Sequence, residues 1–266
     1  MKHSLPWNSL LSFAILALTI FISPAFAQED ETIEGLYQKA IELNMSGKPA
    51  EASATFEKLI ALAGGDEVLF EDYGAQAGGF FFDYGLTLLP QQRWEDAKKA
   101  FTICIQSDEI ADRVETPIQS ENSRKSLALF QLGFCEAELG NHDEALKLYD
   151  QYLESNPPAQ EVEQVFSTFK LRYGKSLMKV GRDAEGIASI QELFDLKVEK
   201  NIPARLLIEG VLELGLAWVE KARAAGDDPV AIEKISDAAH AFLDQNEAHL
   251  GFSPLDKFRF GFYDRL

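Results

Sequence analysis

Small residues recur at fixed distances along this chain, and their spacing restricts the fold more than any other feature. Four glycines, each directly after a large apolar residue, follow one another at intervals of 48, 41 and 41 residues: Gly85, Gly133, Gly174 and Gly215. Twelve residues after the first three of them lie Ala97, Ala145 and Gly186, and four residues further lie Phe101, Tyr149 and Ile190. Small residues at two fixed points allow two antiparallel helices to approach closely, and a large side chain one turn later covers the contact. The sequence therefore predicts successive antiparallel helix pairs.

An earlier and a later copy extend the pattern. The earlier copy has Ala40, Ala52 and Phe56, and the last copy is predicted to shift by four residues, to Ala231 and Ile235. Gly or Pro separates the two halves of the first four copies, where Asp or Asn is expected to cap the second helix. The predicted helices are 32–46, 50–62, 78–89, 93–106, 121–139, 142–155, 160–180, 183–195, 203–224 and 229–246.

The third copy resembles a known repeat family. Its signature residues are Leu129, Leu132-Gly133, Gly140, Ala145, Tyr149, Tyr152 and Pro157. This pattern resembles the tetratricopeptide repeat (TPR), and the second copy is similar, with Phe81, Tyr84-Gly85, Leu88, Trp94, Ala97 and Phe101. The resemblance implies an all-α fold of about five antiparallel helix-pair repeats that form a right-handed TPR-like superhelix, an α-solenoid. Standard TPRs recur about every 34 residues, so the longer period here places extra length between repeats, as at 63–79 and 107–122.

The two ends of the chain differ from the repeats. A basic start, a 13-residue apolar run over 10–22 and small residues before Gln28 indicate a cleavable secretory signal over 1–27. That run is shorter than the roughly 20 apolar residues that a membrane span requires. The repeat domain is then 28–266. Within it, the aromatic stretch 255–266 resembles the opening of another first helix, either a self-capping helix or part of a longer array.

The net charge argues against some classes of partner, and the cysteine content argues against a disulfide scaffold. The formal net charge of −18 at pH 7 repels phosphate backbones and anionic lipid, so nucleic acid and membrane surfaces are poor partners. Two cysteines, Cys104 and Cys135, are too few for a disulfide scaffold. We expect two buried free thiols, although an exported chain could pair them.

The sequence contains no recognisable catalytic, cofactor or metal motif. His142 lies in a turn beside Asp143, as expected of a capping or solvent-facing residue, and His240 and His249 lack the spacing of paired metal ligands. Nucleophile elbows, phosphate-binding loops and dinucleotide fingerprints are absent from the sequence. We therefore predict no enzyme activity, no cofactor and no metal.

The TPR resemblance implies that first helices line a concave groove that receives peptides or partner helices. Carried over position by position, the groove residues are Phe82 and Leu86; Phe130, Phe134 and Ala137; Leu171, Lys175, Met178 and Lys179; and Leu212, Leu216 and Val219. Apolar residues at such positions indicate an interaction surface, unless lengthened neighbouring segments bury them. Lys175 and Lys179 lie one turn apart and are either a contact for an acidic partner or solvated surface. Two lysines do not make up the carboxylate clamp of some TPR grooves.

The leading hypothesis is a secreted, periplasmic TPR-like adaptor or scaffold that binds a protein or peptide, as in cell-envelope assembly. The main alternative is an N-terminal regulatory or substrate-binding module of a larger enzyme or machine. A third hypothesis is a self-assembling rod, and homo-oligomerisation stays open.

Overall fold

The computed structural model describes residues 32–113 and 121–250, and these ranges are helical almost throughout. Their elements are α1 (Ile33–Met45), α2 (Pro49–Ala63), α3 (Asp66–Tyr73), α4 (Ala75–Leu88), a 3-10 turn (Leu89–Gln91), α5 (Trp94–Arg113), α6 (Glu121–Glu138), α7 (His142–Glu154), α8 (Ala159–Lys179), α9 (Asp183–Asp195), α10 (Ala204–Ala224) and α11 (Pro229–Leu250). The signal predicted over 1–27 and the aromatic stretch 255–266 lie outside the described residues.

The helices pack as consecutive antiparallel pairs, which confirms the predicted all-α solenoid. The pairs are α1 with α2, α4 with α5, α6 with α7, α8 with α9 and α10 with α11. Two described parts of the additional length between repeats are also helical. The short helix α3 occupies most of the interval between the first two pairs, and α5 continues to Arg113, beyond the end predicted from the sequence.

Residues in the left-handed conformation end the first helices. Gly140, Gly181 and Gly226 have φ values of 86°, 82° and 60°, which glycine adopts without steric cost. The predicted side-chain caps are wrong in the third pair, because Asn141 makes no cap hydrogen bond. Its Nδ2 donates instead to Glu136 Oε2 at 2.8 Å.

Within the pairs, the glycines of the repeat make the contacts that their spacing predicts. A Cβ atom placed on Gly85 would lie 2.6 Å from Cε1 of Phe101, and one on Gly133 would lie 2.8 Å from Cε1 of Tyr149. In the fourth pair both contact points are glycines, and a Cβ on Gly174 would lie 2.7 Å from the carbonyl oxygen of Gly186. Each glycine therefore leaves a space that the opposite helix occupies.

The fifth pair differs from the predicted spacing. Ala231 and Ile235 are only partly buried, whereas Ala239 and Leu243, eight residues later in α11, are each 1% exposed. The prediction of Ala231 and Ile235 as the buried contact is thus wrong. Asp228 begins α11 by accepting the backbone N–H of Ala231 at 3.2 Å.

Two clusters of buried apolar side chains form the core, and α8 contributes to both. Phe169 belongs to the first cluster, which extends back to α1. Leu171, two residues later, belongs to the second cluster, which continues to α11. Side chains from opposite sides of α8 therefore connect the two halves of the solenoid.

The contact at Gly85 predicts a position-specific effect on stability. We expect Gly85→Ala to lower the free energy of unfolding by about 1–3 kcal/mol, because the methyl group would overlap the fully buried ring of Phe101. Urea unfolding followed by circular dichroism measures the change.

Gly79→Ala in the same helix is the matched control. The nearest atom to its added Cβ is Nη1 of Arg124, at 3.4 Å, an ordinary van der Waals distance. Since alanine favours a helix over glycine by about 1 kcal/mol, this variant should be as stable as the wild type or more so. Equal losses from both substitutions would contradict the packing role of Gly85.

Candidate partner-binding surface

The first helices of three successive pairs, α6, α8 and α10, form one surface. On each helix it includes the residue that directly follows the repeat glycine. Phe134 in α6, Lys175 in α8 and Leu216 in α10 each directly follow a repeat glycine. The guanidinium carbon of Arg172 lies 3.2 Å from the ring centroid of Phe134, which joins α8 to α6. Lys175 Nζ lies 3.0 Å from Glu213 Oε1, which joins α8 to α10. We call these five residues the first-helix surface.

An aromatic group forms one end of this surface. Phe134 is partly exposed, and the ring of Trp94, at the start of α5, meets it edge to face with centroids 5.2 Å apart. Arg172 stacks against the same ring. Aromatic and arginine side chains provide much of the binding energy at protein interfaces. The Phe134 region therefore has the composition of an anchor for a partner.

The other end of the surface is aliphatic. Leu212 and Leu216, one turn apart on α10, are each 50% exposed. A pair of exposed leucines at this spacing forms an apolar patch, and exposed apolar patches are a feature of interaction surfaces.

Arg172 is the residue that the sequence analysis missed. Among the residues that the structure describes, its guanidinium makes no hydrogen bond and no ion pair, and it lies against the rings of Phe134 and, at 5.7 Å, Phe130. Burial lowers the pKa of Arg172 from its ordinary value, and the charges of Glu138 and Glu209 offset part of that effect. The signal in the sequence was its position three residues before Lys175, on the same helical face.

Lys175 and Lys179 have different surroundings, although they are one turn apart. Burial alone would lower the pKa of Lys175, but its hydrogen bond to Glu213 and the charge of that carboxylate raise the pKa above its ordinary value. Lys179 is exposed. Burial, together with the charges of Lys179 and Lys175, lowers the pKa of His142, whose Nδ1 lies 3.4 Å from Ser176 Oγ. The two lysines therefore do not act as an equivalent pair.

Phe130 and Leu171 are corrections to the predicted groove. Each side chain is only 2% exposed and lies in the core. The ring of Phe130 packs between Tyr152 and Phe169, with centroid distances of 5.8 and 6.2 Å. Because Phe169 belongs to the next first helix, α8, the following repeat covers the position three residues before the glycine. Neither residue is available to a partner in this structure.

Leu212 occupies the equivalent position in α10, three residues before Gly215, but it differs from Phe130 and Leu171 in exposure. Within the described ranges no further first helix follows α10, and Leu212 is half exposed. Phe82, at this position in α4, is partly buried, so the position is least exposed where a following repeat packs against it and most exposed in α10.

Three of the remaining predicted groove residues are partly buried, and one lies in the core. Met178 faces its own pair, since a Cβ on Gly186 in α9 would lie 2.5 Å from its Cγ. Phe82 meets Phe101 edge to face at 5.9 Å, and Leu86 is partly buried against the first core cluster. The predicted groove position of Val219 is wrong, because this side chain is 5% exposed and lies in the second core cluster. Binding of a partner by Phe82, Leu86, Phe134, Lys175 and Lys179 stays a prediction.

A surface depression, separate from the first-helix surface, lies between α7, α8 and α9. It has a volume of about 590 Å³, and its apolar rim includes Leu153, Val162 and Phe166. Lys170 borders it and is paired with Glu192 at 2.6 Å. Leu153 is 48% exposed, which makes it a matched comparison for Leu216.

The titratable groups of the described residues show no arrangement for metal or thiol chemistry. In these ranges no group of three or more His, Cys, Asp or Glu side chains is placed to hold a metal ion. Cys104 and Cys135 are buried and unpaired, and burial raises the pKa of Cys135 to about 12. No helix of the described part combines the length and apolarity needed to span a bilayer.

Comparisons with known proteins support the repeat assignment. The family model described as tetratricopeptide repeat matches residues 126–159, the third helix pair. The chain therefore contains a tetratricopeptide repeat, at the copy whose signature is most complete. No curated protein sequence matches the chain.

Two solved structures are similar in outline. One is the "kinesin light chain nearly identical TPR-like repeats" of Podosopora anserina, at 12% identity and a TM-score of 0.48, with 80% of this chain and 95% of that chain covered. The other is a TPR repeats protein from Bacteroides fragilis NCTC 9343, at 12% identity and a TM-score of 0.34, with 88% and 99% covered.

The different burial of two phenylalanines predicts different costs of truncation. We expect Phe130→Ala to lower the free energy of unfolding by about 3–5 kcal/mol, because it leaves a cavity among packed rings. Phe134→Ala should cost roughly 1 kcal/mol, since its ring is already partly exposed. Chemical denaturation of both variants measures the difference, and equal costs would contradict the assignment of Phe130 to the core.

Proposed function

We propose that the protein is an exported scaffold that binds a segment of another protein through the first-helix surface and catalyses no reaction itself. TPR repeats generally mediate protein–protein interaction, and the helix-pair fold supports that general role. The observation that carries the proposal is the partly exposed Phe134 ring, held between Trp94 and Arg172 on a surface that continues to Leu216.

The location proposed for this activity is the periplasm, where the partner would be a protein of cell-envelope assembly. The signal-like pattern of residues 1–27 supports export. An acidic chain of net charge −18 also suits a protein that stays in solution and avoids anionic lipid surfaces.

The binding proposal predicts site-specific crosslinking in cells. A photoreactive amino acid at position 216 should give a discrete adduct with a second protein, whereas the same group at position 153 should not. Both positions hold a leucine of nearly equal exposure, so a difference in crosslinking reflects which surface binds the partner and not how exposed the position is. Mass spectrometry of the adduct identifies the partner.

The second arm of this experiment adds Phe134→Ala to the chain that carries the photoreactive group at 216. The adduct should then be lost while the helical circular dichroism signal is retained. A preferential adduct at 153 would assign binding to the depression between α7, α8 and α9 instead. An adduct of two copies of this chain would indicate self-association and contradict a heterologous partner.

Export predicts a shorter mature protein. When the full chain is expressed in a Gram-negative bacterium, the periplasmic fraction should contain a product that begins at Gln28. Cell fractionation and N-terminal sequencing measure this directly. Recovery of the chain in the cytoplasm with residues 1–27 attached would overturn the proposed location.

A further inference from the structure

One cationic group on the first-helix surface has no hydrogen-bonding partner among the residues that the structure describes. Arg172 is partly buried, and within residues 32–113 and 121–250 its guanidinium makes neither a hydrogen bond nor an ion pair. A guanidinium carries five N–H donors and cannot lose its charge under ordinary conditions. Removing such a group from water is costly unless acceptors replace the lost hydration. A carboxylate from a partner would supply acceptors for these donors.

The contact with Phe134 leaves the N–H donors of Arg172 without a hydrogen-bond acceptor among the described residues. With its carbon 3.2 Å from the centroid of the Phe134 ring, the guanidinium uses one planar face for the aromatic contact. Its N–H groups lie in the plane and point outward from the edge of the stack. This geometry suits a carboxylate, whose two oxygens accept two parallel N–H bonds.

Nearby charges on the protein do not already satisfy this requirement. The charges of Glu138 and Glu209 raise the pKa of Arg172, but neither carboxylate forms an ion pair with it. The neighbouring cation, Lys175, is already paired with Glu213. An incoming carboxylate in direct contact would interact more strongly with Arg172 than carboxylates beyond ion-pair distance, since the interaction weakens with separation.

The position of Arg172 within the surface indicates which part of a partner supplies the carboxylate. Phe134 lies on one side of it, in α6, and the exposed Leu212 and Leu216 lie on the other side, in α10. A segment that contacts both sides must pass across Arg172. The contacting acid is then an internal residue of that segment and not its terminal carboxylate.

We infer that Arg172 is the specificity-determining residue of the first-helix surface and that it binds an Asp or Glu side chain of a partner segment with apolar residues on both sides. This inference rests on the proposed function, because it specifies what that surface recognises. A single stacked arginine recognises one carboxylate through a planar pair of hydrogen bonds.

The test uses a phage library of random dodecapeptides selected against the purified wild-type protein. Selected peptides are synthesised with amidated C termini, and isothermal titration calorimetry measures their dissociation constants. We expect the selected peptides to share an acidic residue between apolar ones. Replacing that residue by its amide should weaken binding about tenfold or more, as should Arg172→Gln.

A double-mutant cycle separates recognition from a structural role. If Arg172 contacts the acid, the amide peptide should bind the wild type and Arg172→Gln with similar affinity. If Arg172 only holds the fold, the variant should weaken acidic and amide peptides equally, and the inference is overturned. Arg172→Lys keeps the charge without the planar donors, and it should recover only part of the affinity.

Two further variants control for overall charge. Arg182→Gln removes an exposed arginine that is paired with Glu185 at 2.6 Å, and it should leave the affinity unchanged. Glu138→Gln removes a competing carboxylate and should leave binding of acidic peptides equal or tighter. If Arg182→Gln weakens binding as much as Arg172→Gln, the effect is one of net charge and the inference fails.

The outcomes also distinguish this inference from the proposed function. Peptides whose binding depends on Phe134 but not on Arg172 would retain the surface and overturn the acidic specificity. Peptides that require a free C terminus would overturn the internal position of the acid. Failure to select any peptide, or insensitivity to both residues, would contradict the surface and the inference together.

Discussion

The architecture depends on a steric complementarity between glycine and a large side chain within each helix pair. Where Gly85 and Gly133 leave out a Cβ, the rings of Phe101 and Tyr149 occupy the space. The same contact sets the separation of the two helices and buries the aromatic ring completely. Because protein interiors pack at high density, a single added methyl group at such a point has to displace an entire side chain. This contact recurs in the second and third pairs even though the connections between pairs differ in length.

A second level of packing joins neighbouring pairs and determines what stays exposed. The rings of Phe130, Tyr149, Tyr152 and Phe169 are in mutual contact across α6, α7 and α8. This cluster buries a position that the repeat pattern alone assigns to the groove. In α10 the equivalent residue, Leu212, remains half exposed. The packing of the next repeat thus contributes to which first-helix side chains stay accessible.

The first-helix surface follows from these two levels. The glycine contacts orient α6, α8 and α10, and the residues just after the glycines then form one continuous row through the Phe134–Arg172 stack and the Lys175–Glu213 ion pair. The row combines an aromatic anchor, one cation without a hydrogen-bonding acceptor in the described ranges and an aliphatic end. Such a combination is suited to selecting a partner by one charge within an apolar segment, because apolar contact supplies affinity and an unpaired charge supplies discrimination.

The sequence by itself determined the helix pairs, their order and most of their bounds. The reason is that the glycine–ring contact joins residues only 16 positions apart, so the pattern of each pair repeats along the chain. The sequence did not determine that Phe130 and Leu171 are core residues, that Ala239 and Leu243 replace Ala231 and Ile235 in the fifth pair, or that α3 forms. The tertiary structure also decided the candidate site. Arg172 and Phe134 are 38 residues apart in the chain, and only the stacking of α8 on α6 brings the guanidinium onto the ring. For these first-helix side chains, burial depends on the neighbouring repeat, and no local pattern encodes which of them a neighbour will cover.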